Sequence, residues 1–343
     1  MIARKLIVPL ACMAVWTIVS ARTGTLTDER VTVTVDSSSV ITGGPLIMPP
    51  SLKPGDTVAI VSPAGDARKA DFKAMEDVIR DMGFNVTIGR HAACSYGCYA
   101  GTDSQRLSDL TEALSDPRIK AVIATRGGYG SVHLLDSVDA LPLLHNPKWL
   151  VGFSDISALH ALMQRHGLTS IHGPMGINMH RRGGDVTVSC KALFNMLRGF
   201  PQRYEIDGTP FNRPGKAQGQ LTGGNLAVLD ALVSTPFDAL RPGTILFIED
   251  IGEPVYKIER QLYRLKLSGV LGSLRGLIVG DFTDTPHDAG FTSMERMISD
   301  MTSEYDYPVA FGVPAGHGRV NLPLMLGKEI TLEVTENKTV ITQ

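Results

Sequence analysis

A chain of 343 residues has room for two domains of ordinary size, and 43% hydrophobic residues can fill two cores. With 33 Lys and Arg against 35 Asp and Glu, the net charge is −2 and no block of like charge occurs, which argues against a nucleic acid or an anionic membrane surface as partner. A small or peptide-like ligand fits this balance better.

The N-terminus differs from everything after it. Arg4 and Lys5 precede the apolar run Leu6–Val19, which ends in Val19-Ser20-Ala21, with small residues where a signal peptidase cuts. The run falls short of the roughly 20 apolar residues that a membrane span needs, and Pro9 interrupts it. Residues 1–21 are therefore read as a secretory signal, placing the mature protein in the periplasm or outside the cell without stable membrane association. An uncleaved anchor in the inner membrane, or a cytoplasmic location, is the alternative. Residues 22–50, rich in Thr, Ser and Val and ending in Met48-Pro49-Pro50, are read as a linker.

From Leu52 the pattern becomes regular. Thr57–Val61 reads as a buried strand, Ser62-Pro63-Ala64-Gly65 as a turn, and 68–83 as an amphipathic helix stopping at its glycine. Asn85–Ile88 is a second strand. Cys94 and Cys98 follow, either closing a small disulfide loop, as export would allow, or remaining thiols. A metal site is the weaker reading, because His91 alone does not complete four ligands. Then come a helix over 104–115, a strand over 121–125, a helical stretch over 131–141, the strand 149–153 and a helix over 155–166. This alternation predicts a doubly wound parallel-sheet α/β domain over residues 51–180, with ligand-binding turns along the rim formed by the carboxyl ends of its strands.

Arg181-Arg182-Gly183-Gly184 and Pro201, Pro210 and Pro214 blur the pattern, so 181–215 is read as an inter-domain linker. Residues 216–343 form a second, mixed α/β domain with a β-rich tail. Its predicted strands are 244–248, 276–279 and 308–312, its helices 225–232, 255–267 and 294–304, and a β-hairpin over 329–342 closes the chain.

Several chemistry-bearing residues fall where strands end. In Lys148–Leu159 an apolar run reaches Gly152-Phe153-Ser154-Asp155 and a helix begins at once. A strand running into a helix through Gly-x-Ser exposes the hydroxyl beside the free N–H groups of the first helical turn, which suits a nucleophile. Ser and Asp are also favoured helix caps, and the fragment alone fits that role as well. Glu249 follows the apolar run Ile245–Ile248, and His317 lies in Gly316-His317-Gly318. A serine needs a base such as imidazole, and the base needs a carboxylate to orient it, so Ser154, His317 and Glu249 are candidate partners. The competing readings are a solvated strand end for Glu249 and Asp250 and a plain turn for the Gly-His-Gly loop. Arg126-Gly127-Gly128-Tyr129-Gly130 can turn backbone N–H groups outward toward an oxyanion, with the Asp155 N–H as second donor. It lacks the spacing of a nucleotide-binding glycine loop. His160, spaced helically with Ile156, reads as a packing residue.

The ordered set Leu52-Lys53-Pro54-Gly55-Asp56, Ala100-Gly101-Thr102-Asp103, Arg126–Gly130, Gly152–Asp155, His172-Gly173-Pro174, Glu249-Asp250 and Gly316–Gly318 resembles the serine LD-carboxypeptidases, which include muramoyl-tetrapeptide carboxypeptidases and microcin-immunity peptidases. The resemblance runs from Leu52 to the C-terminus. It implies a nucleophile at Ser154, a triad completed by His317 and Glu249, an oxyanion hole from Asp155 with Gly127 or Gly128, and recognition of a free terminal carboxylate, for which Arg126 stands at the right rim, with a structural use of Arg126 as the competing reading. It also implies cofactor-free release of the terminal D-Ala of a murein tetrapeptide, the homodimer being an assembly left open. The export signal and the cysteine pair depart from the well-known cytoplasmic members. A peptidase acting on a peptide–nucleotide antibiotic, and a periplasmic peptide-binding protein without catalysis, are the other readings.

Overall fold

The computed structural model describes residues 24–28, 31–35, 47–182, 184–287 and 290–343. The predicted signal, 1–21, lies outside the described residues. In chain order the elements begin with β1 (Gly24–Asp28), β2 (Val31–Val35), β3 (Thr57–Val61), α1 (Phe72–Asp81), β4 (Asn85–Ile88), α2 (Asp103–Ser115) and β5 (Ile119–Ala124). They continue with α3 (Leu141–His145), β6 (Trp149–Gly152), α4 (Ser157–Arg165), β7 (Ser170–His172), the small ladder β8 (Arg181–Arg182) and β9 (Asp185–Val186), α5 (Val188–Leu197) and β10 (Gln202–Asp207). The second half holds β11 (Gly215–Asn225), α6 (Leu226–Leu232), β12 (Ile245–Ile251), α7 (Val255–Leu267), β13 (Gly276–Thr283), α8 (Met294–Met301), β14 (Val309–Ala310), β15 (Leu324–Leu326), β16 (Glu329–Val334) and β17 (Lys338–Thr342).

The N-terminal sheet has the order β4-β3-β5-β6-β7-β15. Its first five strands are parallel, as expected, and β15 joins antiparallel at the far edge. The second sheet runs β1-β2-β10-β17-β16-β11-β12-β13-β14. Its long strand β11 pairs antiparallel with β16 through 215–220 and parallel with β12 through 221–225, so one strand joins an antiparallel half to a parallel half. Each face of β12 fills its own core: Ile245 and Phe247 pack on one side, Leu246 and Ile248 on the other. Burial on both faces is why that strand reads as a continuous apolar run. α7 buries Val255, Ile258, Leu262 and Leu265, the i, i+3, i+7, i+10 spacing of one helix face.

The structure differs from the sequence expectations in four places. The stretch read as a linker, 22–50, carries the hairpin β1–β2, and β2 pairs with β10. The alternation Val31-Thr32-Val33-Thr34-Val35 is the strand signal there, with Val31 buried. The second linker reading, 181–215, holds α5 and β10, and the buried face of α5 includes Ala192, Leu193, Phe194 and Met196. The helical stretch 131–141 divides into a 3-10 turn at Ser131–Leu134 and the short α3, whose first turn contains Pro142, a residue that starts a helix but cannot lie inside one. Finally, β15 carries residues of the second half into the first sheet, and Met325 packs in the N-terminal core.

The carboxyl ends of the two parallel sheets meet. Gly224 in β11 has φ +142°, and a Cβ there would lie 2.5 Å from Ser157 Oγ at the start of α4. Beside it, a Cβ on Gly223 would lie 1.9 Å from the carbonyl oxygen of Phe247, which no side chain can displace cheaply. Gly223→Ala should therefore cost roughly 2 kcal/mol or more. Gly252→Ala, at φ +74° in open space, should cost only the roughly 1 kcal/mol of a left-handed backbone. Chemical denaturation of both variants checks this, and equal losses would contradict it.

Candidate active site

Ser154 stands at the elbow between β6 and α4. Phe153 is extended, Ser154 takes φ +63°, and a 3-10 turn over Ser154–Ile156 leads into the helix. A left-handed non-glycine residue stores of order 1 kcal/mol of strain and recurs where a side chain must be presented. The elbow depends on close neighbours without side chains. A Cβ on Gly152 would meet Ile156 at 2.8 Å, and a Cβ on Gly127 would lie 2.7 Å from Ser154 Cβ, 2.9 Å from its Oγ and 3.4 Å from the Asp155 nitrogen. The Gly127 carbonyl accepts from Gly65 N–H at 3.0 Å, so the trans peptide turns the Gly128 N–H the opposite way. Asp155 is buried, and its Oδ2 accepts from Ser131 N–H at 2.8 Å, binding the elbow to the end of the glycine loop. Burial pushes its carboxyl pKa up, while the Ser131 hydrogen bond pulls it down.

Glu249 and His317 come together from the second half. Glu249 is 0% exposed at the end of β12. A register irregularity between Ile248 and Asp250 re-aims the strand there. Its Oε2 lies 2.6 Å from His317 Nδ1. Gly316 must be glycine, with φ +123° and a Cβ position 2.6 Å from Glu249 Oε2. The His317 ring meets the Phe153 ring edge to face at 4.9 Å between centroids, which brings it beside the residue preceding Ser154. Burial pushes the Glu249 carboxyl up, and the His317 contact pulls part of the way back. For His317 burial acts downward, but the Glu249 hydrogen bond and charge, together with the charges of Asp250 and Asp281, outweigh it and raise the imidazole above its ordinary value. The solvated-strand-end alternative for Glu249 and Asp250 therefore fails, since both are buried and hydrogen-bonded.

Residues 58–173 match the LD-carboxypeptidase N-terminal domain, and residues 218–332 the LD-carboxypeptidase C-terminal domain. The chain belongs to the LD-carboxypeptidase family. It is 33% identical over 285 residues to the murein tetrapeptide carboxypeptidase of Pseudomonas aeruginosa, covering 80% of this chain and 92% of that one. The crystal structure of a muramoyltetrapeptide carboxypeptidase from Oxalobacter formigenes aligns with TM-score 0.74 at 27% identity, over 83% of this chain and 98% of its own. A microcin C7 self-immunity protein in complex with aspartyl sulfamoyl adenosine shares the fold, with TM-score 0.76 at 24% identity, over 87% and 98% of the two chains.

In this LD-carboxypeptidase two residues beside the elbow, Ser157 and Asn225, escaped sequence reasoning. Ser157 Oγ accepts from Asn225 N–H at 2.9 Å across the domain junction. Asp250 accepts from Asn225 Nδ2 at 2.9 Å and from Ala227 N–H at 2.9 Å, at the start of α6. The signal available was Asn225 before an apolar-periodic helix, an N-cap. Its own side chain does cap α6, accepting from Val228 N–H. His172 is buried, edge to face with Phe153 at 5.9 Å and with Phe247 at 4.8 Å, and burial holds it well below the usual imidazole range. His160 packs as expected. It is buried, contacts Ser170 Oγ and the Gly152 carbonyl at 2.9 Å each, and is pushed by burial to about 4. Arg126 sits exposed on the rim and donates to the Asp66 carbonyl at 3.1 Å. Ala100–Asp103 is a structural feature: Thr102 and Gln105 form a capping box on α2. Cys94 and Cys98 are free thiols, the first half-buried and the second exposed.

The His317–Glu249 pair makes a prediction that needs no substrate. The carboxylate stabilises the imidazolium, so removing its charge takes away the largest opposition to burial and lowers the pKa. In Glu249→Gln the His317 ring, followed by NMR, should titrate at a lower pH than in the parent chain, where Glu249 helps to raise it. An unchanged titration would mean that the carboxylate does not set the ring's charge.

Proposed function

We propose that the enzyme releases the terminal D-Ala of murein tetrapeptides by acyl transfer to Ser154. The observation that carries this reading is the buried Glu249–His317 pair at 2.6 Å, packed through Phe153 against a strained serine elbow that Gly127 backs. Ser154 Oγ attacks the carbonyl of the diamino acid, and His317 Nε2 takes the proton. Glu249 holds Nδ1–H and stabilises the imidazolium. The Asp155 N–H, with a donor from the Gly127-Gly128 loop, meets the developing oxyanion. His317 then returns the proton to the departing D-Ala amine, and water hydrolyses the acyl-enzyme by the same groups in reverse. The guanidinium of Arg126, exposed at the rim, is the candidate partner for the free terminal carboxylate. The murein substrate rests on the likeness to the murein tetrapeptide carboxypeptidase of Pseudomonas aeruginosa.

Ser154→Ala should lower kcat for D-Ala release by about 10⁴-fold or more while leaving thermal unfolding close to that of the parent. Gly127→Ala, whose methyl would crowd Ser154 Oγ, should lose about 10²-fold in kcat. Chromatographic assay of D-Ala from a murein tetrapeptide checks both, and parental turnover by Ser154→Ala would end the proposal. A parallel assay on an aminoacyl-nucleotide conjugate distinguishes the substrates, and turnover of the conjugate alone would exclude murein.

We further propose that the enzyme is exported, on Arg4, Lys5 and the apolar run to Val19. No helix among the described residues is long and apolar enough to cross a membrane. Fractionation with N-terminal sequencing should find a mature chain beginning near residue 22 outside the cytoplasm, and a full-length cytoplasmic product would contradict export.

A further inference from the structure

The loop that backs Ser154 also presents an aromatic ring to solvent. Tyr129 is 51% exposed, two residues beyond Gly127, yet its ring is held from several sides. The Tyr99 ring lies 5.9 Å from it, and the His133 ring meets it edge to face at 5.3 Å. His133 Nε2 is 3.3 Å from its hydroxyl, and His133 Nδ1 is 3.6 Å from Asp103 Oδ1. Underneath, the buried Arg106 guanidinium lies 5.1 Å from the Tyr99 ring centre and donates to the Gly130 carbonyl at 2.8 Å. Arg106 also pairs with Asp103, so one buried cation contacts both the end of the loop and the Tyr99 ring beside Tyr129. Tyr96, 64% exposed, adds a second ring on the same rim, since its strand-like pairing with Tyr99 continues through Tyr99 and Gly65 to the Gly127 carbonyl.

An exposed ring immobilised in this way has given up its rotamer freedom before any ligand arrives, which is the property of a binding surface and an unusual expense for a surface tyrosine. We propose that Tyr129 is the stacking platform of a glycan subsite, taking the apolar face of a hexopyranose ring attached to the N-terminal end of the peptide. The proposal rests on the murein-peptide reading of the site. Spacing supports it. Three residues separate the scissile carbonyl from the sugar, about 10 Å of extended peptide, and Tyr129 is at most about 7 Å of backbone from Gly127, with its ring reaching further.

The test compares the free tetrapeptide with the same peptide carrying its muramoyl sugar. The parent enzyme should prefer the sugar-bearing substrate in kcat/KM, chiefly through KM. Tyr129→Ala should reduce that preference about fivefold or more, and Tyr129→Phe should retain it within about twofold. Loss of activity in Tyr129→Ala that is equal on both substrates would assign the ring a purely structural role and overturn the subsite. So would a parent enzyme without preference, or a preference untouched in Tyr129→Ala. A parent enzyme that cleaves neither substrate would instead remove the murein reading itself, and this inference with it.

Discussion

The arrangement depends on a single close approach, where the backbone of Asn225 donates to Ser157 Oγ at 2.9 Å and Gly224 leaves no room for a side chain between the two sheets. Such a hydrogen bond contributes only about 1 kcal/mol. Its importance is positional. Ser157 begins the helix that Ser154 leads into, and Asn225 ends the strand beside β12, which carries Glu249. Bringing those two points together sets the carboxyl ends of both parallel sheets face to face, and Phe153 then fills the space between the serine elbow and the His317 ring. The return of β15 into the first sheet makes the junction harder to open, because the second half of the chain contributes a strand and Met325 to the first core.

Electrostatics follow from this geometry. Glu249 is fully buried, and a buried carboxylate is unfavourable unless a partner compensates it. His317 is that partner, and because its other face meets Phe153 the pair sits at the edge of the apolar interior. The result is an imidazole held above its ordinary value by a carboxylate that solvent cannot screen. Asp155 repeats the device on the other domain, where its buried carboxylate is held by the Ser131 N–H and thereby ties the elbow to the glycine loop.

Much of this was legible in the residues. Strand–helix alternation gave the parallel sheet, and glycines at strand ends marked the rim on which Gly65, Gly127 and Gly152 do lie. Helix α7 begins and ends where its spacing predicts. Residues far apart in sequence were legible only through the family resemblance, since nothing local to Glu249 or His317 announces that they meet. The misreadings share a cause. Strands β2 and β10 and helix α5 lie in segments interrupted by prolines or small polar residues, where tertiary pairing decides the structure and local pattern is weak. The Ser157–Asn225 contact was invisible for a different reason, because a serine hydroxyl and a backbone amide leave no distinctive signature in a sequence.

The central claim is that one serine, activated across the domain junction, is the nucleophile. Labelling with a fluorophosphonate followed by peptide mapping tests it most directly. The account predicts a single adduct on Ser154, formed by the parent chain and absent when His317 is replaced by alanine. An adduct on another serine, or labelling of Ser154 at an undiminished rate without His317, would contradict it.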